Sequence, residues 1–235
     1  DNTMVVISGD HGIPGIPRGK CDLYDLGTRV PLIVRWPGKT GQGMVVDDFV
    51  SLPDLAPTML DVAGVRIPSV MTARSILPVL KAKRSGLVDA SRDHVIVGRE
   101  RHVSQTRHGG LPYPHRAIRT ADYLYIRNFA PDRYPMGLAP GFGLPAETPY
   151  PDYVALREQT YAAFADLDAS PTKAWMLTNQ GDPQVAALVE LTLGLRPGEE
   201  LYDVAADPDH MQNLAADPDF AQIKEGLSKR LLRVL

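Results

Sequence analysis

The sequence predicts an α/β fold, a partial central sheet with flanking helices, followed by a smaller α+β region built on an antiparallel sheet and a terminal helix. Three observations carry this expectation. Two short apolar, β-branched runs, "TMVVIS" (residues 3–8) and "VPLIVRWP" (30–37), are followed by a segment of helical spacing. Two later stretches, "HVIVGRER" (94–101) and "RAIRTADYLYIRNF" (116–129), alternate as half-exposed antiparallel strands do. The C-terminal end carries a capped amphipathic helix.

Taken in order, residues 3–8 suit a parallel strand buried on both faces, and residues 30–37 form a second such run closed by Pro37 and Gly38. "SLPDLAPTMLDVAG" then places Leu55, Met59, Leu60 and Ala63 on one helical stripe. Pro57 falls in the first turn and Gly64 is a C-terminal stop. Residues 75–80 form a second short helical piece. From 81 to 92 the composition turns charged and small, which marks a boundary between domains at residues 1–90 and 91–235. Residues 120–122 are the turn between the alternating strands.

The Pro- and Gly-rich stretch 131–151 is rich in Tyr, Phe and Met, and is expected to pack across a surface rather than act as a plain linker. Helical patterns follow at 152–165 and 183–193. In the last helix Asp217 is the cap, Pro218 the first helical residue, and Phe220, Ile223, Leu227, Leu231 and Val234 the apolar stripe.

Composition narrows the functional classes. A formal net charge of −3 over 235 residues gives no electrostatic argument for binding nucleic acid or an anionic membrane surface. One cysteine excludes an internal disulfide framework and a cysteine-based zinc site. No apolar run approaches the length of a membrane span. The chain starts at Asp1 and enters almost at once a strand that reads as buried, so a piece of a longer protein is expected. That strand would then be a central strand deprived of neighbours.

The densest chemistry lies in "SGDHGIPGIPRGKCDLY" (8–24). A carboxylate and an imidazole just after a strand, Asp10 and His11, sit where α/β sheets gather ligands. They read either as metal ligands or an acid/base pair, or as a turn cap and a surface residue. Arg18 and Lys20 add positive charge, which suits an oxyanion such as sulfate or phosphate. For Arg18 the alternative is simple solvation on a loop.

The spacing "SGDHG…GK…LYDLGTRVPLIVRWPG" resembles the type I, formylglycine-dependent sulfatases of the alkaline phosphatase-like superfamily. "VSLPDLAPTMLDVAGV" looks like the helix that follows in that family, and "LYDVAADPDHMQNLAADPDF" like its C-terminal signature. The stretches "DHGIPGIPRGK", "YPHRAIRT" with "YIRNF", and "ELYDVAADPDHMQNLAADPDFAQ" are most similar to the heparan N-sulfatase branch. The resemblance implies that Asp10 and His11 bind a calcium ion and that Lys20 holds the sulfate group. Calcium prefers oxygen, which makes His11 the weaker ligand.

The lone Cys21 is not the nucleophile that the family needs. Such sulfatases carry a formylglycine made in a Cys/Ser-x-Pro-x-Arg segment, and Cys21 is followed by "DLYD". "SLPDL" (51–55) has leucine where the arginine should stand. Cys21 reads instead as a small residue packed behind the loop. In the family the formylglycine and a first metal-binding pair of aspartates lie upstream, so this chain looks like the C-terminal half of a sulfatase and is expected to be inactive alone. For the whole protein the family mechanism implies attack by hydrated formylglycine on sulfur, with the metal and Lys20 stabilising the sulfate oxygens.

"GRERHVSQTRHGGLPYPHR" (98–116) packs three His and four Arg into nineteen residues. It reads either as a surface recognising an anionic sugar, with Glu100, Arg101, His102 and Arg116 as contacts, or as an exposed edge with solvated charge. Tyr123, Tyr125 and Phe129 are expected in the core. His210 is expected in a surface turn, and "PGEELYDVAADPD" is expected to be a solvated acidic face containing one strand.

The expected partner is a sulfated carbohydrate such as a heparan-type glycosaminoglycan, with neither nucleic acid nor a membrane span. A homodimer stays open, and the resemblance suggests a periplasmic, secreted or lysosomal setting. Two other functions stay open: a phosphatase or phosphonate hydrolase of the same superfamily, and a non-catalytic carbohydrate-binding module.

Overall fold

The computed structural model describes residues 2–235 and divides into two compact units. The first holds Val30–Val95 and the N-terminal residues up to Asp10. The second holds His11–Arg29 and Ile96–Leu235.

In the first unit, β1 (Val5–Ser8) pairs antiparallel with β2 (Leu32–Arg35), Val5 opposite Arg35 and Ser8 opposite Leu32. The expectation of a parallel strand buried on both faces is therefore corrected. The two strands form a sheet of their own, and Val5, Ile7 and Ile33 are 43, 59 and 57% exposed. β-Branched composition selected the strand conformation, but a two-stranded sheet gives each strand one hydrogen-bonded neighbour.

After β2 a 3₁₀ turn (Leu52–Asp54) leads into α2 (Leu55–Val62), which Gly64 ends at φ +69° as expected. The expected apolar stripe is not the buried one. Met59 is exposed, and the inward side is Asp54, Pro57 and Thr58. The reason is an ionic anchor. Arg92 is buried and donates to Asp54 Oδ2 at 2.8 Å and to the carbonyls of Arg74 and Ser75 at 3.0 and 2.9 Å. The other Asp54 oxygen accepts from the Arg74 amide, and the Thr58 hydroxyl accepts from the Ile76 amide. These bonds set α3 (Leu77–Lys81) against α2.

The second unit opens with the loop 11–24 and the short α1 (Asp25–Thr28). Its centre is a four-stranded sheet of β3 (His94–Arg99), β4 (His115–Thr120), β5 (Tyr123–Asn128) and β8 (Glu199–Asp203), in the order β3-β4-β5-β8. β4 with β5 and β5 with β8 are antiparallel. Strand alternation sends Ala117, Leu124, Ile126 and Tyr202 to one face, where Leu23 and Tyr24 cover them. Ile118, Tyr125 and Leu201 go to the other face, against α7 (Ala221–Leu232). Both faces are thus covered, where half-exposed strands were expected.

Tyr125 lies in this core as expected, Tyr123 packs against it, and Phe129 is exposed. Asp217 caps the helical segment through the Asp219 amide, and Phe220, Ile223, Leu227 and Leu231 face the sheet. Val234 lies past the last helical residue and meets solvent.

A third cluster joins the loop 131–151 to helices. The loop makes two tiny strands, β6 (Ala139–Pro140) and β7 (Gly143–Leu144), and buries Met136 and Ala139, as its composition suggested. They pack with Leu156 of α4 (Tyr153–Glu158), Ala174, Met176 and Leu177 of α5 (Pro171–Thr178), and Val185, Val189 and Leu193 of α6 (Pro183–Leu193). The expected helix over 152–165 stops at Glu158, and α5 was not anticipated.

The acidic run is also corrected. Glu200, Leu201 and Tyr202 are buried, and so is His210, 2% exposed, with its ring 5.5 Å from that of Tyr202 and 6.1 Å from that of Tyr24.

Replacing Arg92 by methionine strips Asp54 of its buried partner. The expected loss is about 3–5 kcal/mol of stability in the first unit, read by urea denaturation through Trp36 fluorescence. Arg74→Ala removes only exposed side-chain contacts to Ser91 and should cost about 0.5 kcal/mol.

Candidate functional site

The loop that follows β1 is held by close backbone approach. The Gly12 amide donates to the Gly27 carbonyl at 3.0 Å, and a Cβ on Gly12 would lie 2.0 Å from the Leu26 carbonyl oxygen. A Cβ on Gly19 would lie 2.2 Å from the Ile13 oxygen. Arg18 and Cys21 take left-handed backbone, φ 56° and 76°, on either side of Gly19 and Lys20. Each costs on the order of 1–3 kcal/mol, so the surrounding bonds must impose the conformation. They run from the Lys20 amide to the Ile13 carbonyl at 2.9 Å and from the Asp22 amide to the Gly19 carbonyl at 3.0 Å.

The two cations of this loop part company. Arg18 turns inward, 6% exposed, with its guanidinium carbon 4.4 Å from the centre of the Tyr24 ring and one N–H donated to the Asp209 carbonyl at 3.4 Å. Lys20 stays partly open and donates from Nζ to Asp168 Oδ2 at 3.0 Å.

Asp168 belongs to a segment that sequence reasoning missed. The next residues begin α5. The Ser170 hydroxyl accepts from the Lys173 amide as a helix cap, and donates to the Gly15 carbonyl at 2.5 Å. A serine followed by proline at the start of a helix was a readable signal. Nothing local showed that it would meet the cationic loop.

Beneath the loop lies a buried polar cluster. Tyr24 and Tyr202 hydroxyls donate to Glu200 Oε2 at 2.7 and 2.6 Å, and Asn128 Nδ2 donates to Oε1 at 2.7 Å. Burial raises the carboxyl of Asp22 and lowers the imidazole of His115 well below its ordinary value, with Arg99 and Arg116 adding to the effect on His115.

The 98–116 stretch is tied down from one side. Asp166, fully buried, accepts from the Val103 amide at 3.0 Å, the Thr106 hydroxyl at 3.1 Å and Arg107 Nη2 at 3.1 Å. Glu100 and Arg116 pair with each other, Arg101 is exposed, and His102 Nδ1 lies 3.7 Å from Asp166. Four of the expected sugar contacts are thus in one segment, while Arg18 is committed to Tyr24.

Asp10 and His11 are exposed neighbours in sequence, and His11 Nδ1 lies 2.7 Å from the Gly12 carbonyl. Among the described residues no three His, Cys, Asp or Glu side chains are grouped to hold a metal. One carboxylate and one imidazole do not by themselves complete a calcium shell of six to eight oxygens.

A family model described as N-sulphoglucosamine sulphohydrolase, C-terminal, matches residues 18–136, just over half of the 235. The chain belongs to this sulfatase family. The match spans Lys20 and the whole Arg- and His-rich stretch. Among relatives, an ulvan-active sulfatase of Formosa agariphila is 28% identical over 232 residues, covering 97% of this chain and 36% of the relative. The N-sulphoglucosamine sulphohydrolase of Homo sapiens is 30% identical over 245 residues, covering 99% and 41%.

A protein solved in complex with its substrate D-glucosamine-2-N,6-O-disulfate shares the fold, with a TM-score of 0.60 at 21% identity, covering 100% of this chain and 34% of that one. The fold is the alkaline phosphatase-like sulfatase fold expected from the sequence. The chain spans between a third and two fifths of the length of these proteins. In general the family works with a metal and a formylglycine.

Burial pushes the Cys21 thiol up to about 11, against the opposing pull of Arg99. At pH 8 the thiolate fraction is then about a hundredfold below that of an ordinary cysteine near 9. Iodoacetamide should alkylate the folded chain about a hundredfold more slowly than the urea-unfolded chain, and mass spectrometry over time reads the ratio.

Proposed function

We propose that this chain is the C-terminal part of a sulfatase that hydrolyses an N- or O-sulfate from a sulfated sugar, of the heparan-type glycosaminoglycan class. The observation that carries the reading is Lys20: a partly open ammonium fixed on a strained loop and braced by Asp168, inside the region matched by the family model. A pre-oriented cation at a strand-end loop stabilises charge on a sulfate oxygen without reorganising during the reaction.

Lys20 is proposed to hold the sulfate. Asp10 and His11 are proposed to supply part of the shell of a divalent metal, calcium, completed by further oxygen ligands. When bound, that metal supplies Lewis-acid polarisation of the sulfate, and the family's formylglycine supplies the nucleophile. Glu100, Arg101, His102 and Arg116 are proposed as sugar contacts: the arginines fork onto sulfate or carboxylate oxygens, and the carboxylate takes hydroxyls. Arg18, turned inward, is proposed to stiffen the loop that aims Lys20. A periplasmic, secreted or lysosomal location is proposed with this substrate. No helix of the described residues is long and apolar enough to cross a membrane.

The test is sulfate release by the protein expressed from its complete reading frame, on N-sulfated and O-sulfated glucosamine. Lys20→Ala should lower kcat/KM at least a hundredfold, and Asp10→Ala should weaken metal binding in equilibrium dialysis. Sulfate release unchanged by Lys20→Ala would sink the assignment. Preferential turnover of a phosphonate or phosphate ester would favour the other hydrolases of the superfamily.

A further inference from the structure

Lys173 is 1% exposed, yet its ammonium is bonded to no carboxylate among the described residues. It donates to three backbone carbonyls, those of Leu167 at 2.8 Å, Thr160 at 3.1 Å and Phe164 at 3.4 Å. All three N–H groups of a lysine are thereby used. A buried charge costs several kcal/mol to desolvate, and a methionine of similar length would fill the same space without that cost. The three carbonyls belong to one stretch, 160–167, in which Phe164 takes left-handed backbone at φ 43°. Converging carbonyl oxygens repel one another, and a cation at their focus holds the strained stretch in place.

That stretch and the residue that follows it present two carboxylates. Asp166 grips Arg107, Thr106 and the Val103 amide, and Asp168, the next residue past the stretch, grips Lys20. The Lys20–Asp168 pair alone is neutral, a poor lure for an oxyanion. Asp168 is also the charged group that Lys173 feels. The two ammonium groups and Asp168 together carry a net charge of +1, although of the two lysines only Lys20 is bonded to the carboxylate.

We propose that Lys173 is a positioning residue for the oxyanion site, fixing the stretch that leads into Asp168 and adding the positive charge that the neutral Lys20–Asp168 pair lacks. The inference rests on the reading of Lys20 given above. Burial pulls the Lys173 ammonium down to about 8, with Asp168 opposing. As pH rises through that value the proton leaves, the sum falls from +1 to 0, and affinity for an anion falls with it. Loss of one unit of charge close to a bound anion is expected to weaken its affinity about fivefold.

The experiment titrates inorganic sulfate into the full chain at pH 7 and pH 9, with side-chain lysine resonances followed by NMR. The wild-type chain should bind about fivefold more weakly at pH 9, and the Lys20 resonance should move with the titration of Lys173 near pH 8. Lys173→Met should bind about fivefold more weakly at pH 7 and show no further loss at pH 9, a pattern that a merely structural role would not give. The wild-type coupling of the two lysine resonances needs no variant and decides the matter if Lys173→Met fails to fold.

A Lys173→Met chain that binds like the wild type at both pH values, or a Lys20 resonance indifferent to Lys173, overturns the proposal while Lys20 keeps its role. Sulfate affinity unchanged by Lys20→Ala overturns the Lys20 reading and this inference together.

Discussion

The buried carboxylate of Glu200 is the constraint on which the second unit depends. It accepts from Tyr24, Asn128 and Tyr202, which come from the loop after β1, from β5 and from β8. A carboxylate away from water is tolerable only when its oxygens are satisfied, so all three donors must be in place together. Through Tyr24 this bond network seats the loop on the sheet, and Leu23 beside it adds apolar contact. Arg18 stacks on that Tyr24 ring, and the loop then turns through Gly19 to put Lys20 on the other side of the turn. The aim of Lys20 is thus set from inside the fold as well as by its partner on the surface.

Features decided by neighbours in sequence were legible. The turn between β4 and β5, the α6 segment, the Asp217 cap and the Gly64 stop follow from local conformational preference. Features decided by distant partners were not. The acidic run around Glu200 looks like a solvated face because Tyr24 and Asn128 lie 176 and 72 residues away. His210 sits in a turn-like stretch and yet lies between two tyrosine rings supplied by other segments. For β1 and β2 the apolar residues announced strands, but the burial on both faces that they led one to expect is missing among residues 2–235.

The site divides in the same way. Asp10, His11 and Lys20 could be picked out because a carboxylate, an imidazole and cations crowd one Gly-rich loop. Asp168 and Lys173 could not, since an aspartate and a lysine near a helix start are ordinary surface residues until the fold brings Gly15 to Ser170. Arg18 and Lys20 looked equivalent in sequence. The left-handed backbone of Arg18 and the tight approach at Gly19 send one cation inward and leave the other open. Such residues are legible only from an observed backbone, because φ is not written in residue type for arginine.

The discontinuity of the second unit has a consequence for how the chain acquires its structure. Lys20 meets a partner 148 residues later, Gly15 one 155 later and Tyr24 one 176 later, while residues 30–95 of the first unit are threaded between. During synthesis the cationic loop emerges before all of these partners and is fully docked only after β8 leaves the ribosome. At about 5–20 residues per second that wait is roughly 10–35 s. Contacts of such long range close slowly, because chain entropy is lost before any bond compensates for it. The segment 11–29 therefore spends its first seconds as an unprotected tether bearing an accessible thiol. The Lys20 loop is made well before the partners that hold it and is among the last parts of its unit to become ordered.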